Sequence, residues 1–259
     1  MSLQPEIQKT IEQIRNNPLN HDLRLQLLQL LQLYCVAGQW ESALKTLNSY
    51  LKLNPTDQQT RALFLGNIEC ELQRLDIVNH THQVIAYTPG QPEVALQQQI
   101  LQQYHDPALI NTLFLELHAQ TQPSIVVQCN DLSELKDEYV DTDVRFSHIV
   151  EIFEENRYTW LSLAEIESIS FKSTEILTDL IWRRTSIVLK NKKNIACFVP
   201  VRYPFEYHQN LDEGVLYARS TQWESVGDFS VAVGQRTLTI TEVDIGILDI
   251  TNIHSIEHS

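Results

Sequence analysis

Apolar positions in the first half of the chain recur with a helical period. In residues 24–57, Leu27, Leu30 and Tyr34 fall at i, i+3 and i+7 on one helical face. Gly38 then permits a tight turn, and Trp40 opens a second helix. Ala43 is small enough to let the two helices approach, Leu47 packs one turn on, and Pro55 ends the unit. After residue 124 the pattern shifts to short runs rich in Thr, Ile, Val and aromatic residues, which are strand formers. Tyr158 to Phe171 predicts a strand, a turn and a second strand. Thr185–Leu189 and Ile195–Val199 flank a polar turn and predict a hairpin. Phe229–Val233, Arg236–Thr241 and Ile245–Ile250 predict further strands, and Leu177–Trp182 a short apolar piece. Ser147–Asn156 carries Ile149, Ile152 and Phe153 at helical spacing and predicts a short helix, preceded by an acidic loop over Leu132–Val144.

A longer period lies over the helical one. Pro55, Pro89 and Pro123 are 34 residues apart, and Pro18 stands 37 before Pro55. Thirty-four is the length of the tetratricopeptide helix–turn–helix unit. Twenty of the 23 glutamines lie at or before Gln128, and Gln forms helices far better than strands. The expected fold is therefore multidomain α and β. Residues 1–123 form a TPR-like α-α superhelix, and residues 124–259 a smaller α+β domain with an antiparallel sheet or barrel.

Stacked helix pairs curve and leave a concave face suited to a partner's peptide or helix. On the first pair that face carries Leu28, Gln29, Gln32, Cys35 and Val36. One period on, it carries Ala62, Leu63, Gly66, Glu69 and Cys70, with Gln59 one turn earlier. A second candidate surface lies near the C-terminus. There Arg202, Tyr203, Arg219, Trp223 and Arg236 form a group that holds carboxylates or peptide backbone, or else ties hairpins together. The alternative function is thus a peptide-binding module built on these arginines and aromatics.

Charge and composition narrow the classes. The net charge is −14, which opposes phosphate-backbone binding and docking on anionic membranes. The seven glycines are never spaced for a phosphate-cradling loop. The four cysteines are too far apart for a metal or redox motif. No apolar run is long enough to span a bilayer, and the N-terminus carries no leader pattern, so a cytoplasmic protein is expected. Residues 131–155 hold nine carboxylates, read as a solvated loop. Asp141-Thr142-Asp143 begins like a calcium loop, but Arg145 stands where a third oxygen ligand belongs. No nucleophile elbow or zinc helix occurs, and no enzyme, cofactor or metal is expected.

Seven segments in order resemble the ImpE/TagJ family. They are AGQWESAL, DTDVR (141–145), NRYTWLSLAEIESISF (156–171), DLIWR (179–183), VRYPFE (201–206), ARSTQW (218–223) and VGQR (233–236), and the resemblance runs from about Ile11 to Ile250. It implies a cytoplasmic, non-enzymatic accessory protein of bacterial type VI secretion, with a tetratricopeptide-like N-terminal domain and an α/β C-terminal one. It further implies binding to the N-terminal helix of the small contractile-sheath subunit, TssB, and an indirect link to the ClpV ATPase. The chain departs from the family pattern in its abundance of Gln and in LKDEYV before Asp141.

Overall fold

A computed structural model describes residues 3–16, 22–120, 124–131, 133–206, 211–240 and 242–255. Pro18 and Pro123, which mark the period and the expected boundary, lie outside them. The first half is helical: α1 (Leu3–Asn16), α2 (Leu23–Val36), α3 (Trp40–Leu53), α4 (Gln58–Val78), α5 (Pro92–Gln103) and α6 (Pro107–Gln120). Gly38 sits between α2 and α3 at φ 70°, where a side chain is strained, and the Phe205 ring fills the space that a Cβ would need. Helix α4 is capped by Asp57, which accepts from the Thr60 amide at 2.9 Å and from the Tyr50 hydroxyl at 2.7 Å. Pro92 and Pro107 open α5 and α6, where a missing N–H costs nothing.

The second half is an antiparallel sheet with short helical turns. Its strands are β1 (Ser124–Cys129), β2 (Glu134–Asp141), β3 (Ile149–Glu154), β4 (Arg157–Ser162), β5 (Ile166–Phe171) and β6 (Trp182–Leu189). They continue with β7 (Asn194–Pro200), β8 (Thr221–Val226), β9 (Phe229–Gly234), β10 (Thr237–Ile240), β11 (Val243–Gly246) and β12 (Ile250–Ser255). A short helix α7 (Glu213–Leu216) precedes β8. Ten strands form one sheet in the order β11-β10-β2-β1-β12-β5-β6-β7-β3-β4, and β8–β9 is a separate hairpin. The predicted β6–β7 hairpin pairs over seven residues, from Trp182↔Pro200 to Val188↔Asn194.

Two expectations are corrected. Ser147–Asn156 is not a helix, because β3 occupies its centre and pairs with β4 from Ile149↔Ser162 to Glu154↔Arg157. The helical spacing misleads because β3 is covered on both faces: Ile149, Glu151, Ile152 and Phe153 are all buried, so period-2 alternation is erased. The acidic loop over Leu132–Val144 is largely β2, paired with β1 and β10.

The core crosses from the helices to the sheet. Leu31, Trp40, Phe64 and Ile68 pack in one cluster with Phe146, Trp160, Trp182 and Tyr203. Trp40 stacks on Trp182 at 5.9 Å between ring centroids, and the Phe64 ring meets Trp182 edge-on.

Candidate functional site

Where α4 meets the sheet, four arginines and four carboxylates are buried together. Arg74, in the middle of α4, donates to Glu151 of β3 through two nitrogens at 2.7 and 2.8 Å. It also reaches Glu71 at 3.4 Å and the Arg202 carbonyl at 2.7 Å. Glu151 further accepts from the Tyr158 hydroxyl and from Arg236. Arg236 donates on to Asp141 at 2.8 Å, and Asp141 accepts from the Tyr203 hydroxyl at 2.6 Å. Asp143 and Arg145 pair beside them at 2.5 and 2.9 Å and bind both backbone groups of Ala232. Arg202 sends its guanidinium to the carbonyls of Val36 at 2.7 Å, Leu216 at 2.5 Å and Cys35 at 3.4 Å. The set is neutral: Arg74, Arg145, Arg202 and Arg236 balance Glu71, Glu151, Asp141 and Asp143. Buried charge is tolerable only when paired in this way.

The titrations follow from that packing. Burial pushes Glu151 up, but Arg74 and Arg236 outweigh it and hold the carboxyl below its ordinary value. Burial raises Asp141 to about 7 against the opposing pull of Arg236 and Tyr203. Burial lowers Arg202 to about 10, with Glu71 opposing. The thiols of Cys70 and Cys197 are each raised to about 12 by burial, which suppresses the nucleophilic thiolate.

This geometry corrects the reading of the acidic stretch. Asp141, Asp143 and Glu151 are not solvated but interior, each consumed by an arginine. Among the described residues no group of three or more His, Cys, Asp or Glu side chains is placed to hold a metal ion. Nor is any described helix long and apolar enough to cross a membrane.

The residues expected on one concave face are distributed differently. Leu28, Gln29 and Gln32 line a hollow of about 470 Å³ with Glu6, Leu177 and Arg219. Cys35 and Val36 are fully buried beneath it, their carbonyls taken by Arg202. Gln59, Ala62 and Leu63 line a separate trough of about 590 Å³, between α4 and the strands β3, β6 and β7. Glu69 accepts from the Asn156 side chain at 3.1 Å. The residues expected on one groove thus divide between two separate hollows and the interior.

The Arg/aromatic group also divides. Arg202, Tyr203 and Arg236 belong to the buried network, and the two arginines are committed to protein acceptors. Arg219 lies over the Tyr217 ring at 5.0 Å beside the α2 hollow. Trp223 is 41% exposed in a third hollow of about 430 Å³, with Tyr104 and Arg145. These five side chains do not form one surface. Sequence reading missed Arg74 and Glu71, and took Asp143 and Glu151 for members of a solvated acidic loop. The one signal within reach was the i, i+3 spacing of Glu71 and Arg74 on α4.

The fold and its seam define a class: a helical array joined to a ten-stranded antiparallel sheet through a neutral buried ion network. Residues 134–254 match the family model described as ImpE protein. A relative from Pseudomonas aeruginosa, described as "Type VI secretion system accessory component TagJ", is 24% identical over 249 residues, covering 92% of this chain and 82% of its own. The crystal structure of a Vibrio parahaemolyticus protein has the same fold, with a TM-score of 0.79 at 20% identity over 99% of this chain and 94% of that one. Over residues 134–254 the chain is thus similar to the ImpE family, and along most of its length to TagJ.

Proposed function

We propose that this protein is an accessory adaptor of a type VI secretion system, working in the cytoplasm without catalysis. In this reading it binds the N-terminal helix of the small contractile-sheath subunit, a TssB-like protein. It thereby modulates sheath assembly or its recycling by ClpV, which it touches only indirectly. The observation that carries the reading is the likeness to TagJ along 92% of the chain, which takes in the helical half as well as the sheet. The buried site supports a binding role over a catalytic one. Its buried carboxylates accept from arginine and tyrosine donors of the same chain and face no open cleft, which favours a structural role for the network. In this reading the α2 hollow and the trough beside α4 are the candidate surfaces for the partner.

The test is titration calorimetry of the full-length protein with a peptide spanning the first helix of the cognate small sheath subunit. Saturable one-to-one binding is expected. No heat change, together with no co-purification of the intact subunit, overturns the reading.

A further inference from the structure

Strand β8 has one partner, β9, paired from Thr221↔Gly234 to Val226↔Phe229. Bonds on the far side of β9 fix the phase of that ladder. Ala232 donates its amide to Asp143 at 2.8 Å, and its carbonyl accepts from Arg145 at 2.9 Å. The Gly234 carbonyl accepts from the Tyr203 amide at 2.9 Å. Along an antiparallel strand the backbone groups turn alternately toward the partner strand and away from it, and opposite residues turn together. Ala232 and Gly234 turn away from β8, so Trp223 and Thr221 opposite them turn away from β9. Ser225 follows by the same alternation. The N–H and C=O groups of these three residues therefore point out from the free edge. None has a hydrogen-bond partner among the described residues.

This edge is unguarded. Gln222, Glu224 and Ser225 are exposed, and so is much of the Trp223 ring. Sheet edges are ordinarily protected by Lys, Pro, bulges or a covering segment. The β8 sequence TQWESV has no Lys or Pro, its register runs unbroken, and its one charge is Glu224. At the β4 end of the large sheet the edge is covered. There the Trp160 amide donates to Ile85 at 3.0 Å, and the Trp160 carbonyl accepts from Tyr87 at 2.8 Å. Strand β11, at the other end, spans four residues against six in β8.

The local charge selects the occupant. Glu224 lies on the strand and Asp228 in its turn. Asp212 accepts from the Gln222 amide at 2.6 Å, and Glu206 lines the hollow beside Trp223. None of these four carboxylates is in an ion pair among the described residues. The nearby cations are engaged elsewhere: Arg145 pairs with Asp143, and Arg219 lies over the Tyr217 ring. A second copy would bring the same carboxylates and a further net charge of −14 to the edge. A strand with Lys or Arg side chains complements it.

We propose that β8 accepts an extended, basic segment of another protein as a third strand of the β8–β9 hairpin. The outward groups of Thr221, Trp223 and Ser225 supply the main-chain bonds, and an apolar side chain opposite Trp223 packs on the indole. Basic side chains alternate with it on the other face and meet Glu224. This edge is separate from the α2 hollow and from the trough beside α4. The inference therefore goes beyond the adaptor reading and does not depend on which helix, if any, binds there.

The probe is a capped peptide alternating Lys with Ile and Thr, titrated into the full-length protein. Backbone amide exchange is followed residue by residue by NMR. In the free chain the amides of Thr221, Trp223 and Ser225 exchange fast, while those of Gln222 and Glu224 are held by β9. Bound peptide slows the three by about tenfold or more. N-methylation of the Ile and Thr residues, whose amides face β8, abolishes binding, and N-methylation of the Lys residues does not. Ser225→Pro also abolishes it, yet keeps the circular dichroism and melting temperature of the parent, because the lost N–H faces outward. Glu224→Lys weakens the basic peptide by about fivefold or more and gains affinity for the peptide with Glu in place of Lys. Unchanged exchange at the three amides, or equal affinity for both N-methylated peptides, overturns the proposal. So does binding that survives Ser225→Pro. Protection of the three amides without peptide overturns it too: growing with protein concentration, it makes a second copy the occupant, and at every concentration it means the chain covers its own edge.

Discussion

Arg202 reaches across 166 residues of sequence to donate to the Val36 carbonyl at 2.7 Å, closing the C-terminal end of α2. A helix ends with carbonyls that have no partner of their own, and a cation there also meets the negative end of the helix dipole. The first helical hairpin is therefore finished by a residue of the sheet half. Arg202→Ala leaves the carbonyls of Cys35, Val36 and Leu216 without their donor and removes one positive charge from a neutral set. We expect a loss of about 3 kcal/mol or more in chemical denaturation. Arg202→Lys recovers little of it, because one ammonium does not reproduce the planar fork.

Glu151 holds the centre of the network between Arg74 and Arg236. Glu151→Gln keeps the shape but leaves two guanidiniums facing a neutral amide in the interior. The expected cost is about 3–5 kcal/mol, with unfolding midpoints followed by fluorescence of the buried Trp160 and Trp182. Arg74→Met alone is similarly costly. In a double-mutant cycle the two changes are expected to be non-additive by more than about 1 kcal/mol, because they share partners. Additivity would mean that the bidentate contact carries no coupling.

How much of this was open to sequence reading depends on the range of each interaction. Helices α2 and α3 were legible because Leu27, Leu30, Ala43 and Leu47 face one side at 3.6-residue spacing and Gly38 marks the turn. The β6–β7 hairpin was legible because its turn is local. Strand β3 was not, since a strand buried on both faces loses its alternation. The network was invisible for a different reason. Arg74 finds Glu151 77 residues away and the Arg202 carbonyl 128 away, and no spacing rule reaches that far. The same distance explains the misplaced groove: the 34-residue period aligned Cys35 with Glu69 but carried no information about the sheet that covers one and bonds the other.

Acid should loosen the protein through His148. This side chain is buried, with Ser147 Oγ at 2.8 Å from Nδ1 and His118 Nδ1 at 3.2 Å from Nε2. Burial, reinforced by His118, lowers its pKa to about 3. The folded form thus resists a proton that the unfolded chain accepts near 6.5, so the stabilisation is present above pH 6.5 and is lost as pH falls toward 3. At pH 5 the loss is roughly 2 kcal/mol. Asp141 acts oppositely: a pKa raised to about 7 favours the folded state as pH falls from 7 toward 4. Glu138 lies 3.8 Å from the other His118 nitrogen and is common to both forms of the experiment. The measurement is therefore a difference: stability of the wild type minus that of His148→Gln, from pH 7.5 to 5. That difference should shrink as pH falls, and a flat difference would sink the assignment of a neutral buried imidazole.

Gly66 tests how closely α4 is pressed to the sheet. A Cβ at this position would lie 2.5 Å from Asn156 Oδ1, inside contact distance, although the backbone itself is ordinary helix. Asn156 is held in place from the helix side, its carbonyl accepting from Gln73 at 3.0 Å and its amide donating to Glu69 at 3.1 Å. It cannot swing aside without breaking those bonds. Gly66→Ala gains about 1 kcal/mol of helix propensity and loses about 1–3 to the clash, so a net destabilisation is expected in thermal unfolding. Asn156 adopts φ 62°, a conformation glycine enters freely, so Asn156→Gly removes the obstructing oxygen without backbone strain. In that background Gly66→Ala should change sign and stabilise, because only the propensity term remains. If Gly66→Ala destabilises equally in both backgrounds, the close approach of α4 to the β3–β4 turn is not what demands glycine there.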